Sequence, residues 1–338
     1  MAITLHGESK RLGLALSGGG FRAAAFHLGV FRKLQAMNLL WKLDLLTCVS
    51  GGSIAGAFLA ANWNQSDVLD RLDRYLKTKS IAIGSVIGGI LDPFSSRLEK
   101  LAESYDRDLF DQRTLSDLGN GPRLYLNSTN LSTGNVFFFV TGGGKPSEMG
   151  EHELGVHPAE TFSIAKAVAA SSAFPPVFPP LRIDASMYPA AGMEYITLTD
   201  GGVYDNLGVN PLLRIKRNAL DYAIVSDGGK PFAISDMPVE SGSGVLLESV
   251  GILMEQVRGL QFRRLLLSNL AENGPKPLWF SIDSHEGEKQ AGDATFASSI
   301  GTNLKKLNEP EREVLSRHAG ALLTHRIEKY APELLSAT

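Results

Sequence analysis

The 338-residue chain has a single cysteine, Cys48, which excludes an intramolecular disulfide framework and any zinc site built from several cysteines. Its charges nearly cancel, with 33 Lys and Arg against 36 Asp and Glu, so the sequence has no basic footprint for nucleic acid. The longest strongly apolar run, Ile81–Leu91, is shorter than the ~20 residues that span a bilayer. The start of the chain also lacks the pattern of a secretory signal. We therefore expect a cytoplasmic protein that binds no nucleic acid polymer.

Hydrophobic residues make up 43% of the chain, a composition typical of a folded globular protein. Two successive units near the start each contain an apolar strand, a glycine-rich turn and a helix. The strands are Arg11–Leu16 and Leu45–Val49, and the helices are Phe21–Met37 and Ile54–Asn62. This order is typical of a parallel sheet with crossover helices. We predict one three-layer α/β domain over residues 1–338 with a mainly parallel central sheet, a motif core over about 11–230 and a helical part over about 241–334.

Ser53 lies in a segment that resembles a nucleophile elbow, where a strand turns sharply into a helix. The strand Leu45–Val49 ends in Ser-Gly-Gly, and the predicted helix follows Ser53 at once. A helix N-terminus at this point favours the negative charge that develops during nucleophilic attack. The usual pattern G-x-S-x-G is only partly met, because Ala55 replaces the second glycine. Ser53 is therefore a candidate nucleophile, and the alternative is a helix N-cap without a catalytic role.

Three consecutive glycines, Gly18, Gly19 and Gly20, separate the first strand from its helix and leave backbone N–H groups free to approach an anion. The anion is either a dinucleotide phosphate, since Gly18, Gly20 and Ala23 satisfy G-x-G-x-x-G/A, or the oxyanion of an acyl-transfer intermediate. A dinucleotide site needs an acidic residue at the end of the second strand, but Asp44 lies at its start. The position of Asp44 therefore argues against a dinucleotide.

Two Asp-Gly-Gly segments, which begin at Asp200 and Asp227, each follow an apolar strand. Carboxylates at the carboxyl ends of strands in α/β folds lie where ligands bind, but Asp-Gly is also a common turn dipeptide. The residues alone leave both candidates open as a catalytic base. A Ser-His-Asp hydrolase would need a later histidine, for which His285 is the candidate because it follows the predicted strand Leu278–Ile282.

The order SGGGFR, then SGGS, then a late DGG resembles the patatin-like phospholipases and is similar to the catalytic domain of cytosolic phospholipase A2. The segment ASSAFPPVFPP ahead of the DGG and the segment VYDNLGVNP after it resemble the same family. The resemblance covers residues 12–208 well and the last third of the chain only loosely. It implies a patatin-like fold and the activity of a lipid acyl hydrolase.

The resemblance implies a catalytic dyad without histidine, in which Ser53 attacks an ester carbonyl and Asp200 accepts its proton. Asp200 is preferred to Asp227 because the sequence after its DGG matches the family. The backbone amides of Gly18–Gly20 would form the oxyanion hole. Arg22 matches the arginine that follows the family's glycines, and we expect it to bind a substrate phosphate or to support the anion site.

These observations predict a phospholipase A or lysophospholipase that cleaves a phospholipid or another lipid ester through an acyl-enzyme, with no metal and no cofactor. The alternatives are a Ser-His-Asp esterase and a catalytically idle regulator that binds a lipid or a nucleotide on the same fold. The glycine-containing apolar segment Ile81–Phe94 is interpreted either as a mobile cap or interfacial element, or as a buried helix. The sequence leaves peripheral membrane contact and the oligomeric state open.

Overall fold

The computed structural model describes residues 3–5, 7–81, 97–190, 192–229, 231–232, 239–270 and 274–336. Its strands are β1 Ile3–Leu5, β2 Glu8–Lys10, β3 Leu12–Leu16, β4 Leu45–Val49, β5 Arg123–Asn130, β6 Val136–Thr141, β7 Glu148–Glu151, β8 Gly155–Pro158, β9 Leu181–Asp184, β10 Tyr195–Asp200, β11 Tyr222–Asp227 and β12 Lys276–Ser281. Its α-helices are α1 Gly20–Ala36, α2 Gly51–Ala61, α3 Val68–Thr78, α4 Arg97–Tyr105, α5 Ile164–Ser171, α6 Gly202–Asp205, α7 Gly242–Leu270, α8 Asp293–Ser299 and α9 Glu309–Tyr330.

Ten of these strands form one sheet, in which β12, β11, β3, β4 and β5 lie side by side in that order and run parallel. The sheet continues from β5 through β6, β7 and β8, which are antiparallel. Strands β3, β4 and β11 are buried along their whole length, as strands of a parallel sheet covered on both faces are. The predicted α/β fold with a mainly parallel central sheet is confirmed, and β6–β8 are an antiparallel extension.

Helices cover the sheet and keep its site-bearing edge in place. Helix α1 is buried on nearly all sides because it lies between the sheet and α9. Gly29 allows this close packing, since a Cβ there would lie 2.6 Å from the Cα of Ser316 on α9. On the other face, Leu265 of α7 packs with Val209 and Leu212. The carboxyl ends of β3, β4 and β11 therefore open between fixed helices.

The functional edge arises where two strands of opposite direction meet along β5. Strand β4 pairs with the first half of β5 and ends with Val49 opposite Asn127. Strand β10 pairs with the second half and ends with Asp200 opposite Ser128. Because the two strands approach from opposite directions and reach neighbouring positions of β5, their carboxyl ends face each other. This register brings Asp200 next to the residues that follow Val49.

Among the residues that the structure describes, no helix is both long enough and apolar enough to cross a bilayer. The segment Ile81–Phe94, for which the sequence suggested a cap, an interfacial element or a buried helix, lies outside the described residues except for Ile81.

Candidate active site

The sharp turn between β4 and α2 is centred on Ser50, whose backbone angles are φ 50° and ψ −116°. A positive φ is strained for a residue with a side chain, and such strain at a strand-to-helix turn is typical of a nucleophile elbow. The two residues that follow must be glycine. A Cβ at Gly51 would collide with the Gly20 carbonyl oxygen, and one at Gly52 would collide with the Leu16 carbonyl oxygen. The elbow residue is therefore Ser50.

The prediction that Ser53 occupies the elbow is wrong, because α2 begins at Gly51 and includes Ser53 in its first turn. Ser53 is fully buried, and its Oγ lies 2.8 Å from the Oγ of Ser171. Since the Ser171 hydroxyl donates its own proton to the Asn127 carbonyl at 2.6 Å, the Ser53 hydroxyl donates to Ser171. Ser171 also accepts the Ser50 amide proton at 3.1 Å. Ser53 therefore helps to hold Ser171, which in turn holds the backbone of the elbow. The structure does not bring Ser53 to Asp200.

Asp200, at the end of β10, lies beside the elbow on the wall of the same cavity. The Gly202 amide donates a hydrogen bond to its carboxylate at 2.7 Å, and the neighbouring Ser50 hydroxyl also favours the charged form of Asp200. Burial raises the pKa of Asp200 to about 7, and the two donors oppose that rise only in part. A carboxylate in this state is a much stronger base than an ordinary aspartate, because its conjugate acid holds the proton more tightly.

The glycine loop presents two backbone amides to the cavity. Gly19 and Gly20 both have positive φ, 141° and 63°, and for their N–H groups we find no protein acceptor in the described part of the chain. The Gly18 amide differs, because it donates to the Asn206 carbonyl at 3.1 Å. The loop also packs on the elbow, since a Cβ at Gly18 would lie 3.2 Å from the Cβ of Ser50. Of the three amides predicted to hold an oxyanion, Gly19 and Gly20 therefore have free donors.

The expectation that Arg22 contacts a substrate phosphate is wrong. Its side chain is fully buried, donates to the Ile300 carbonyl at 2.7 Å and donates twice to the Gly228 carbonyl at 3.0 and 3.3 Å. Burial lowers the pKa of Arg22 to about 10, and the nearby Asp227 carboxylate opposes this fall. The guanidinium thus joins the start of α1 to two distant loops behind the glycine loop.

Replacing Arg22 with methionine is expected to lower the free energy of unfolding by about 3 kcal/mol or more, because buried carbonyls lose a charged donor. The ratio of kcat/KM for a phospholipid to that for a neutral ester should stay the same. Denaturant unfolding and assays on both substrates measure the two quantities. A changed ratio at unchanged stability would show that Arg22 binds the head group after all.

The other base candidates lie apart from Ser50. Asp227 accepts from Arg258 Nε at 2.6 Å and from the Gly229 amide at 3.1 Å, so an ion pair neutralises its charge. His285 is 68% exposed in its side chain, lies 3.4 Å from a Glu288 oxygen, and does not line the cavity. No histidine lines the cavity among the described residues, so the structure offers no third member for a Ser-His-Asp triad.

The cavity above Ser50 and Asp200 has a volume of about 680 Å³, within the size range of ligand pockets. Its apolar wall contains aromatic and aliphatic side chains suited to a hydrocarbon chain. These are Ile54, Phe174, Val177, Phe178, Met254 and Leu304. At one side α7 contributes Glu248, Glu255 and Arg258. The cavity therefore combines an apolar wall with a serine, a carboxylate and free amides.

Sequence reasoning missed Ser50, although a signal for it was present. Ser50 fits the elbow pattern with Gly52 two positions later, and only the first glycine is replaced, by Cys48. Gly56 of α2 makes room for this larger residue, since a Cβ there would collide with the Cys48 sulfur. Ser171 and Asn206, which hold the elbow and the glycine loop, lie in the family-like segments ASSAFPPVFPP and VYDNLGVNP, but sequence reasoning assigned neither of them a role.

Comparisons with known proteins bear on the family and the fold of the chain. A family model described as patatin-like phospholipase matches residues 14–213. No curated protein sequence matches the chain significantly. The solved structures that resemble it include human GIVD cytosolic phospholipase A2, with a TM-score of 0.61 and 13% sequence identity over 97% of this chain and 60% of that one. The same human enzyme in complex with methyl gamma-linolenyl fluorophosphonate and terbium chloride gives a TM-score of 0.61 and 14% identity over 97% and 59% of the two chains. This chain thus spans about three fifths of the human structures, and at such identity the likeness shows the fold.

Proposed function

Because this chain belongs to the patatin-like phospholipase family, we propose that it is a lipid acyl hydrolase that cleaves carboxylic esters through an acyl-enzyme on Ser50. The observation that carries the proposal is the placement of the strained Ser50 beside the buried Asp200, on the wall of one apolar cavity. A nucleophile, a base within hydrogen-bond reach and free oxyanion donors at one site are the parts that ester hydrolysis needs.

In the first half of the reaction, Ser50 Oγ attacks the ester carbonyl carbon while its proton passes to the Asp200 carboxylate. The carbonyl oxygen becomes an oxyanion, which accepts hydrogen bonds from the Gly19 and Gly20 amides. The tetrahedral intermediate then expels the alcohol, which takes the proton from Asp200 as it leaves. Ser50 now carries the acyl group as an ester.

The second half repeats these steps with water. Asp200 accepts a proton from the water as its oxygen attacks the acyl-enzyme, and the same amides hold the second oxyanion. Collapse returns the proton from Asp200 to Ser50 Oγ and releases the fatty acid. The buried Arg22, whose Nη2 would lie 3.1 Å from a Cβ at Gly19, adds positive potential behind the loop without contacting the substrate.

The substrate is proposed to be a lipid ester whose acyl chain occupies the apolar wall formed by residues such as Phe174 and Phe178. Purified protein should be incubated with a panel of phospholipids, lysophospholipids and neutral glycerides, and the products identified by mass spectrometry. Free fatty acid and the matching deacylated lipid should accumulate with the wild type and not with a Ser50→Ala variant. If no lipid in the panel is deacylated, the proposed activity is wrong.

The pH dependence of hydrolysis should follow the ionisation of Asp200. Only the carboxylate accepts a proton, and its pKa is raised to about 7. For a soluble ester, kcat/KM is therefore expected to rise roughly tenfold per pH unit below about pH 7 and to level off above it. A pH–rate profile on the wild type tests this point. A rate that is flat from about pH 5 to about pH 8 would contradict the assignment of Asp200 as the base.

A further inference from the structure

Helix α7 is fixed to the protein along one side only. Gln261 and Leu265 are buried, the ring of Phe262 lies 4.5 Å from that of Trp279, and Arg258 is paired with Asp227. Toward its start, Met254 lines the catalytic cavity from this same side. The opposite side of a 29-residue helix consequently faces solvent in the single chain.

Leucines recur at every seventh position along that exposed side. Leu246, Leu253, Leu260 and Leu267 have exposed fractions of 52%, 64%, 61% and 65%. Residues seven apart lie almost above one another on a helix, because two turns take about 7.2 residues. The four side chains therefore form one continuous stripe, which we call the leucine stripe.

Valines border the leucine stripe at the spacing of a coiled coil. Val250 and Val257, both only partly buried, come three residues before Leu253 and Leu260. β-branched residues at the first position of a heptad and leucine at the fourth form the pattern that favours two paired helices. The leucines run through four heptads, whereas the valines fill only the two middle first positions, since the outer two are Ser243 and Arg264.

The flanking residues also permit two identical stripes to meet. The positions next to the seam on its open side are Ser249, Gln256 and Arg263, so only one charge borders it there. The two carboxylates of the same stretch, Glu248 and Glu255, line the cavity instead. Ile252, Leu266 and Leu270 are also exposed on α7, at 42%, 40% and 75%, so its apolar surface is wider than the stripe. The seven-residue repeat is what favours a second helix, because a lipid surface has no need of it.

We propose that the leucine stripe of α7 is the interface of a homodimer, in which it packs against the same stripe of a second copy of this chain about a two-fold axis. The proposal concerns assembly and stands whether or not the proposed chemistry does. It has a consequence for the cavity. The first half of α7, which carries Glu248 and Met254 on the cavity wall, is mostly exposed in the single chain, so the second copy would hold this wall in place.

The test is sedimentation velocity on the full chain over a range from low to high micromolar concentration. Wild-type protein should approach twice the monomer mass of 36.4 kDa, and the double variant Leu253→Asp with Leu260→Asp should stay monomeric. Leu131→Asp, at a leucine that is 55% exposed outside α7, is the matched control and should dimerise like the wild type. Hydrogen exchange in residues 242–256 should be faster in the double variant than in the control, and both variants should unfold in one cooperative thermal transition, which shows that they are folded.

Three results would overturn the proposal. The first is a wild type that remains monomeric at every concentration. This includes a monomer that uses the leucine stripe to bind vesicles of phosphatidylcholine and phosphatidylglycerol. The second is a double variant that dimerises normally, and the third is a Leu131→Asp control that dissociates with it. Since none of these readouts uses catalysis, an inactive protein would count against the proposed function alone.

Discussion

Replacing Ser50 with alanine is expected to lower kcat/KM for a soluble ester by at least about 10⁴-fold, the order of loss seen when a serine nucleophile is removed. The reason is the position of its hydroxyl, at a strained turn after the end of β4 and beside Asp200 on the cavity wall. The fold should be unaffected, because alanine keeps the Cβ and the Ser50 amide still donates to Ser171.

Ser53→Ala is the matched control, three residues along the same segment. It removes the hydroxyl that donates to Ser171 and is expected to cost about 1 kcal/mol of stability, with kcat/KM within roughly tenfold of the wild type. Initial rates and thermal unfolding of both variants decide the matter. The reverse outcome, an active Ser50→Ala and an inactive but folded Ser53→Ala, would return the nucleophile to the position that the sequence first suggested.

Asp200→Asn should lower kcat/KM by about 10²- to 10⁴-fold, the usual contribution of a general base. The same change is expected to stabilise the protein at about pH 8, because a buried carboxylate is replaced by a neutral amide. The amide oxygen can still accept from the Gly202 amide. Activity and stability therefore move in opposite directions, as is common where an active site holds an unfavourable charge.

The sign of this stability change depends on pH. The pKa of Asp200 is raised from 3.8 to about 7 in the folded protein, so the folded state keeps a proton that the unfolded chain has already lost between those values. The wild type therefore loses stability as the pH rises through this window, and the advantage of Asp200→Asn should be largest above pH 7 and small near about pH 4. Unfolding midpoints of both proteins at the two ends of the window measure it. An asparagine variant that is less stable than the wild type at about pH 8 would contradict the raised pKa.

The buried strands were predictable because their apolar runs are short and unbroken. Leu45–Val49 has the same bounds in the sequence prediction and in the structure, and it is buried throughout. Strands β7 and β8 were not predicted. Their sequences, Glu-Met-Gly-Glu and Gly-Val-His-Pro, carry no run or alternation that differs from a loop. They are strands because β6 offers an edge to pair with, which is information from elsewhere in the chain.

The candidate site was predicted in outline, but its serine was placed at Ser53, three residues after the elbow residue Ser50. Glycine usually marks a turn, so Gly51 and Gly52 indicated that the helix begins after them. The structure includes both in α2 because the backbone of Leu16 and Gly20 leaves no space for a side chain there. The role of Arg22 could not be predicted either, because the carbonyls that it binds, at Gly228 and Ile300, are far away in the sequence. Asp200 and Asp227 were both candidates from their strand ends, and Asp200 was preferred because the residues after its DGG resemble the family.

The most direct test of the account is to find which serine reacts with a fluorophosphonate. Protein labelled with the probe should be digested, and the position of the adduct should be read from fragment ions of the peptide that contains residues 50 and 53. The account predicts an adduct on Ser50, formed much more slowly in Asp200→Asn. An adduct on Ser53, or folded wild-type protein that takes up no probe, would contradict it.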